Sequence, residues 1–259
     1  MAEQETRAEE QAAEADFGFR RVPEAAKASL VRAVFDSVAP RYDLMNDLMS
    51  FAIHRRWKAE MIAWLGPRPG QRMLDVAGGT GDVALLAQPR LAPAAGGSVV
   101  VCDANAQMLE LGRARAIDDG ILGGIEWLCG DAEELPFADR SFELYTIAFG
   151  LRNVTRRERA LAEARRVLKP GGRFICLEFT PAVSPLLQPL YDLYSFQFLP
   201  LLGQIVTGDR DAYAYLVESI RRFPAQSELA ELIAAAGLDR AKYRNLTGGI
   251  AALHSAWRL

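Results

Sequence analysis

The sequence predicts an α/β fold, a mostly parallel sheet of about seven strands covered by helices. Three observations lead there. From about residue 72 short β-type runs alternate with helical patterns, a glycine-rich loop follows the first run, and 259 residues that are 50% hydrophobic suffice for one large core. Ahead of the sheet, Leu30, Val31, Val34, Phe35 and Val38 form a helical stripe that ends at Pro40, and Trp57, Met61, Trp64 and Leu65 suggest a second helix. The polar and aromatic connector between them, residues 41–47, is placed to act as a lid. The strands are read at residues 73–77, 98–102, 125–129, 142–148 and 174–178, then at 240–245 and 251–258. Between them, residues 155–168 put Ala160, Leu161, Ala164, Val167 and Leu168 on one helical face, with Thr155 as N-cap and a stop at Lys169-Pro170-Gly171-Gly172. Arg152, Arg156, Arg157, Arg159, Arg165 and Arg166 read mainly as a solvated face of that helix. Residues 228–236 form a last helix, ended by Gly237.

Charge separates the first residues from the rest. The net charge of −3 combines a stretch of −4 in residues 1–20 with a nearly neutral remainder, so the clear basic excess of a nucleic-acid binder is missing. That acidic start, rich in Ala, Glu and Gln, lacks the apolar stretch of a secretory signal and reads as a disordered tail over residues 1–27. Cytoplasmic residence is expected. Cys102, Cys129 and Cys176 are far apart and form no CxxC, and only two histidines occur, so no disulfide framework or metal site is expected; the cysteines read as small buried hydrophobes. Residues 186–206 hold 13 hydrophobic residues in 21 but include Pro189, Asp192 and Pro200, which argues against a membrane span. They read as an apolar helical insertion within residues 179–222, able to wall a substrate site or touch a membrane.

The motif Leu74-Asp75-Val76-Ala77-Gly78-Gly79-Thr80-Gly81-Asp82 joins a strand to a helix, where glycines let the backbone approach a ligand and the helix N-terminus offers free N–H groups. It also satisfies the dinucleotide fingerprint as Gly79-x-Gly81-x-x-Ala84, so the loop by itself leaves a nicotinamide oxidoreductase open. Asp103, ending the second strand 22 residues after Gly81, is placed to accept from ribose hydroxyls. At the end of the third strand Asp131 can accept from an adenine amino group and Ala132 can offer its backbone N–H. An acid there favours S-adenosylmethionine over NAD.

Four motifs together resemble class I S-adenosylmethionine-dependent methyltransferases: Asp75-x-Ala-Gly-Gly-Thr-Gly-Asp82, Asp131-Ala-Glu-x-Leu-Pro-Phe137, Phe149-Gly-Leu-Arg-Asn-Val154 and Leu168-Lys-Pro-Gly-Gly172. Phe149-Gly-Leu-Arg-Asn-Val154 and the earlier Tyr42-Asp43-x-Met45-Asn46 resemble, more narrowly, the ubiquinone/menaquinone biosynthesis C-methyltransferase family. So do Tyr213-x-Tyr215-Leu216-x-Glu218-Ser219-Ile220 and Asn245-Leu246-Thr247-x-Gly249 with Ala252-Leu253-His254. The likeness spans about residues 28–259 and implies one Rossmann-like methyltransferase domain, with helices on both sheet faces, a helical lid over residues 28–66 and the apolar insertion.

The resemblance implies S-adenosylmethionine as methyl donor, without a metal, and a polyprenylated benzoquinol or demethylmenaquinol as acceptor. It implies cofactor contacts at Thr80, Asp103, Asp131 and Ala132, with Asp75 and Gly79 lining the methionine end. Catalytic roles fall to Arg152 as a fixed cation beside a developing phenolate, to Asn153 on the second ring oxygen, and to Tyr42 from the lid. Arg152 keeps its proton at neutral pH and so cannot serve as the base. His54 or a held water is a candidate proton acceptor. Family members often carry Ser where this chain has Ala148, which removes a hydroxyl near the cofactor. A polyprenyl acceptor implies peripheral contact with the membrane and with other quinone-biosynthesis enzymes, and a homodimer is compatible with the family. Another lipid or phenolic acceptor, or a non-catalytic scaffold subunit, would keep the same fold; Arg152 and Asn153 speak against the scaffold.

Overall fold

The computed structural model describes residues 13–38, 47, 50, 52–181, 189 and 210–259. Strands β1 (Glu14–Phe17) and β2 (Arg20–Pro23) form an antiparallel hairpin, followed by helix α1 (Glu24–Val38) and helix α2 (Ile53–Leu65). The main sheet then begins. Its chain order is β3 (Arg72–Val76), α3 (Asp82–Leu91), β4 (Ser98–Asp103), α4 (Ala106–Asp118), β5 (Ile125–Cys129), β6 (Phe142–Ala148), α5 (Arg157–Val167) and β7 (Leu168–Phe179). Helices α6 (Arg210–Arg221) and α7 (Gln226–Ala235) precede β8 (Asp239–Leu246) and β9 (Ala251–Trp257).

The seven strands lie in the order β5-β4-β3-β6-β7-β9-β8, with β9 antiparallel to both neighbours and the other pairs parallel. The order reverses between β3 and β6, and a crevice at the carboxyl ends of strands flanking such a switch is where doubly wound sheets bind ligands. All seven sheet strands expected from the sequence are present. The two-residue period of a strand sends Leu74 and Val76 to the face covered by α5 and α7, while Met73 faces α2, α3 and α4. Two apolar layers result, one on each side of the sheet.

Two expectations change here. Residues 14–27, read from composition as tail, form the hairpin and the first turn of α1. Their charges hid the contacts that hold them: Phe17 stacks on Tyr215 of α6 at 4.3 Å, and the Phe19 N–H donates to Glu218 Oε2 at 2.9 Å. Gly18 has φ +61 and a Cβ there would lie 2.2 Å from Glu218 Oε2, so the turn admits little else. Helix α2, read within the lid, is a covering layer of the sheet, with Trp57, Met61, Ile62 and Leu65 buried. The connector 41–46 and most of residues 182–209, including nearly all of the apolar run 186–206, lie outside the described residues, while α6 falls within the 179–222 span read as the insertion.

The arginines near α5 are also more than a solvated face. Arg166 binds the carbonyls of Leu135 and Phe137 and pairs with Glu163 and Asp139, while Arg165 donates to the Gly237 carbonyl. Thr155 does not cap the helix. Glu133 Oε1 instead accepts the N–H groups of Thr155 and Arg156, at 3.0 and 2.9 Å. Cys102 and Cys176 are buried as expected, whereas Cys129 is exposed at the end of β5.

Candidate active site

The glycine loop leaves β3 at the switch point. Gly79 and Gly81 have φ of +53 and +80, and a Cβ on Gly81 would lie 2.4 Å from the Trp127 ring, so the loop requires glycine on conformational and steric grounds. Its bend places the N-terminus of α3 at the crevice. The same loop is tied to β4, because Asp103 Oδ2 accepts from the Gly79 N–H at 2.9 Å and Oδ1 from the Asn105 N–H at 2.8 Å. Burial raises the Asp103 carboxyl above its ordinary pKa despite these two donors. Beneath the loop, Asp75 is fully buried. Its Oδ1 accepts from the Thr146 hydroxyl at 2.7 Å, and its Oδ2 has no hydrogen-bond partner among the described residues. Burial pushes this carboxyl up to about 7. Thr80, in the same loop, is buried.

Asp82 opens α3 and serves as a structural hub. Lys58 of α2 and Arg115 of α4 each reach a different carboxylate oxygen at 2.6 Å. Burial alone would raise this carboxyl; the two cations overcome that and hold it well below the usual range. Three helices on one sheet face are thereby fixed relative to the loop.

Asp131 and Ala132 follow β5. Asp131 is exposed and its Oδ1 accepts from the Glu133 N–H at 2.9 Å, shaping the turn. It borders a hollow of about 310 Å³ shared with Glu24 and Ala28 of α1 and with Thr155 and Arg159. Helix α1 therefore lies along the strand ends. It is fastened there by Glu24 to Arg156 at 2.8 Å, by Lys27 Nζ to the Val154 carbonyl at 3.1 Å, and by Asp36 to the Asn105 amide at 2.7 Å. Burial, helped by Arg157, lowers the Lys27 ammonium to about 8. Asn105 and Lys27 went unnoticed in the sequence. Asn105 alone carried a local signal, since it stands two residues after Asp103 as the N-cap of α4.

After β6, residues 149–153 turn across the crevice. Arg152 is 7% exposed and its Nη1 pairs with Glu178 Oε2 at 3.0 Å, while its N–H donates to Glu178 Oε1 at 3.1 Å. Glu178 is fully buried at the end of β7 and was not singled out from the sequence. Arg152, expected as a fixed cation, is thus held by a carboxylate that the sequence reading did not name. The charge of Arg152 is already met by a buried carboxylate, leaving it a source of N–H donors within a neutral pair. Asn153 Oδ1 accepts from the Tyr215 hydroxyl at 3.0 Å. Burial pushes Tyr215 up to about 12, so it stays a phenol and a donor. Tyr42 lies outside the described residues.

His54 is buried, with Nδ1 2.7 Å from the Ser50 hydroxyl and Nε2 3.8 Å from Asp47 Oδ1. Burial and then Lys58 lower its pKa, which favours neutral imidazole at pH 7. Among the described residues no cluster of three His, Cys, Asp or Glu side chains could hold a metal ion, and no helix is long and apolar enough to cross a membrane.

Comparison with known proteins agrees with this arrangement. The ubiE/COQ5 methyltransferase family matches residues 23–258. The ubiquinone/menaquinone biosynthesis C-methyltransferase UbiE of Paracoccus denitrificans is 57% identical over 246 residues, covering 95% of this chain and 97% of that protein. The protein of the same name from Brucella abortus (strain S19) is 54% identical over 250 residues, with coverage of 95% and 91%. Among solved structures, a methyltransferase dependent on S-adenosylmethionine from Thermotoga maritima superposes with a TM-score of 0.62 at 21% identity, over 88% of this chain and 99% of that one. One from Aquifex aeolicus gives 0.57 at 15% identity, over 78% and 89%. These structures share the Rossmann-like class I fold seen here. With a match over nearly its whole length, the chain belongs to the ubiE/COQ5 methyltransferase family.

Proposed function

We propose that this protein is a C-methyltransferase that moves the methyl group of S-adenosylmethionine to a ring carbon of a polyprenylated benzoquinol or demethylmenaquinol. The observation that carries this reading is the placement of Phe149-Gly-Leu-Arg-Asn-Val154, the segment most particular to the family, across the crevice from the glycine loop. A buried carboxylate oxygen without a donor, Asp75 Oδ2, beneath a loop of three glycines suits a ligand that is cationic and brings its own donors. The residues present therefore fit the cofactor. Asp75, Gly79 and Thr80 would hold its methionine end, Asp103 its ribose, and Asp131 with Ala132 its adenine. When bound, S-adenosylmethionine supplies a methyl group activated by its positively charged sulfur.

The chain's own task is to place the acceptor carbon in line with that methyl and to raise its electron density. Alignment alone can lower such a barrier by about 7–11 kcal/mol. Electron density rises as a neighbouring ring hydroxyl gives up its proton, and donors aimed at that oxygen favour the change. Asn153 can serve, because Tyr215 engages its carbonyl oxygen and its amide N–H groups are then available as donors. Arg152 contributes N–H groups fixed by Glu178. Tyr42 enters this scheme through the family resemblance, as a second ring-oxygen partner or proton relay.

A long prenyl tail resides in a bilayer, and residues 186–206, 13 of them hydrophobic, are the stretch of sequence suited to contact with the cytoplasmic membrane face. Contacts with other quinone-biosynthesis enzymes, or between two copies, would keep the acceptor near that face. One experiment joins the two halves of the reading: the protein is mixed with S-adenosylmethionine and either soluble short-chain demethylated quinols or vesicles carrying long-chain ones. Methylated product from both, and flotation with the loaded vesicles, are expected. No product from either acceptor rejects the activity; product without flotation rejects the membrane contact.

A further inference from the structure

The backbone is unusual where β6 meets its loop. Phe149 has φ +57, a left-handed conformation that is rare for a bulky residue, and Ala77 on the facing strand end has φ +50. The two segments touch, since a Cβ on Gly150 would lie 2.3 Å from the Ala77 Cβ. Such conformations persist only where surrounding contacts impose them, and they gather at functional sites. Here the contacts are specific. The Phe149 N–H donates to the Leu177 carbonyl at 2.8 Å, and its own carbonyl accepts from Arg152 Nη1, the nitrogen that also binds Glu178.

These bonds place the Phe149 ring 4.7 Å from that of Phe179, tilted by 36°. The buried Trp57 backs both rings, edge-on to Phe179 at 6.0 Å, and is anchored by its indole N–H to the Thr247 hydroxyl at 3.0 Å. The Arg152 guanidinium lies 5.7 Å from the centre of the Phe179 ring. Phe149 and Phe179 pack against the core beneath them yet are not fully buried, so part of this aromatic pair stays accessible.

We propose that Phe149 and Phe179 form the platform on which the acceptor's aromatic ring rests, and that the Arg152–Glu178 pair is the positioning clamp that holds Phe149 there. The proposal rests on the quinol-methyltransferase reading and adds the surface that orients the ring. An offset or edge-on contact between aromatic rings contributes about 0.5–1.5 kcal/mol, which is roughly a 2- to 12-fold change in binding. Misplacement of a reacting carbon by about 1 Å can cost on the order of 100-fold in rate.

The test uses steady-state kinetics on a soluble short-chain demethylated naphthoquinol, together with calorimetric binding of S-adenosylmethionine. Phe149→Leu is expected to raise the KM for the quinol about 2- to 12-fold and to lower kcat at least about tenfold, with cofactor affinity within twofold of wild type. Phe149→Tyr, which keeps the ring, should recover most of both. Arg152→Lys, which keeps the charge but loses the two-point clamp, should lower kcat with the same unchanged cofactor affinity. Quinol KM and kcat within twofold of wild type in a folded Phe149→Leu protein would overturn the platform; if that variant does not fold, Phe179→Leu takes its place under the same criteria. A wild-type protein that binds S-adenosylmethionine but methylates no quinol overturns the activity on which the platform rests, a different and separable result.

Discussion

Replacing Arg152 with alanine is expected to lower the stability of the fold by about 3–5 kcal/mol, because it leaves the carboxylate of Glu178 buried without its cation. For a chain of this size that corresponds to roughly a 6–20 °C fall in melting temperature. Glu178 accepts from the Arg152 backbone, the Arg152 side chain and the Phe179 N–H, so the loss also loosens the turn that carries Phe149. Removing both charges should hurt less than the two single losses combined. In a double-mutant cycle of Arg152→Met and Glu178→Gln, a coupling of about 0.5–3 kcal/mol is expected from thermal melts or urea titrations. Strictly additive losses would show that the pair does not act as a unit. Turnover should stay low in the double variant even where stability recovers, since neither the N–H donors nor the clamp on Phe149 is restored.

The second large effect concerns pH. Burial lifts the folded-state pKa of Asp75 to about 7 from an ordinary value of 3.8. The folded protein thus holds this proton more tightly than the unfolded chain does. Its contribution to stability is fully present below about pH 4 and is lost as pH rises to 7, a change of up to about 4 kcal/mol from this one group. The difference between wild type and Asp75→Asn isolates it from other titrating groups. Melting temperatures should diverge between pH 5 and 8, wild type falling relative to the variant. A cationic ligand over the glycine loop would favour the ionised form and pull the pKa back down. Binding of S-adenosylmethionine at pH 6 should therefore release a proton, seen by calorimetry in two buffers of different ionisation enthalpy, and the release should vanish at pH 8. The Asn variant should show none at either pH. Absence of proton release from wild type at pH 6 would mean that Asp75 does not sense the cofactor.

The sheet was readable because its central strands are apolar runs bounded by turn signals, and because Lys169-Pro170-Gly171-Gly172 and Gly237 mark helix ends by local chemistry. The hairpin was not, since Glu14, Asp16 and Arg20 look solvated, and what orders them is Tyr215 and Glu218 some 200 residues away. Composition carries no record of such distant partners. The same holds for the site. Asp75, Gly79, Thr80 and Asp103 were legible because they stand at strand ends with fixed spacing. Glu178 looks like any acid at the end of a β-run, and only the fold shows that it takes the charge of Arg152. Phe149 was visible as part of a motif, but its left-handed backbone and its contact with Phe179 follow from the register of β6 on β7.

The polar core near β9 teaches a related point. His254, within a terminal motif shared with the family, is buried with Nε2 2.9 Å from the Gln226 carbonyl, and the Gln226 side chain reaches Thr180 and Asn245. These residues fasten the start of α7 to the end of the sheet. Their place in a family motif thus has a structural explanation that needs no contact with a ligand.

Whether the methyl group goes to carbon is settled by supplying S-adenosylmethionine with a carbon-13 methyl to the wild-type protein and a short-chain demethylated naphthoquinol, then recording the NMR spectrum of the extracted product. A labelled methyl bonded to a ring carbon is expected, with loss of that carbon's proton signal and both ring oxygens unmethylated. Label on a ring oxygen, or none on the quinol despite measurable cofactor binding, would contradict transfer to carbon.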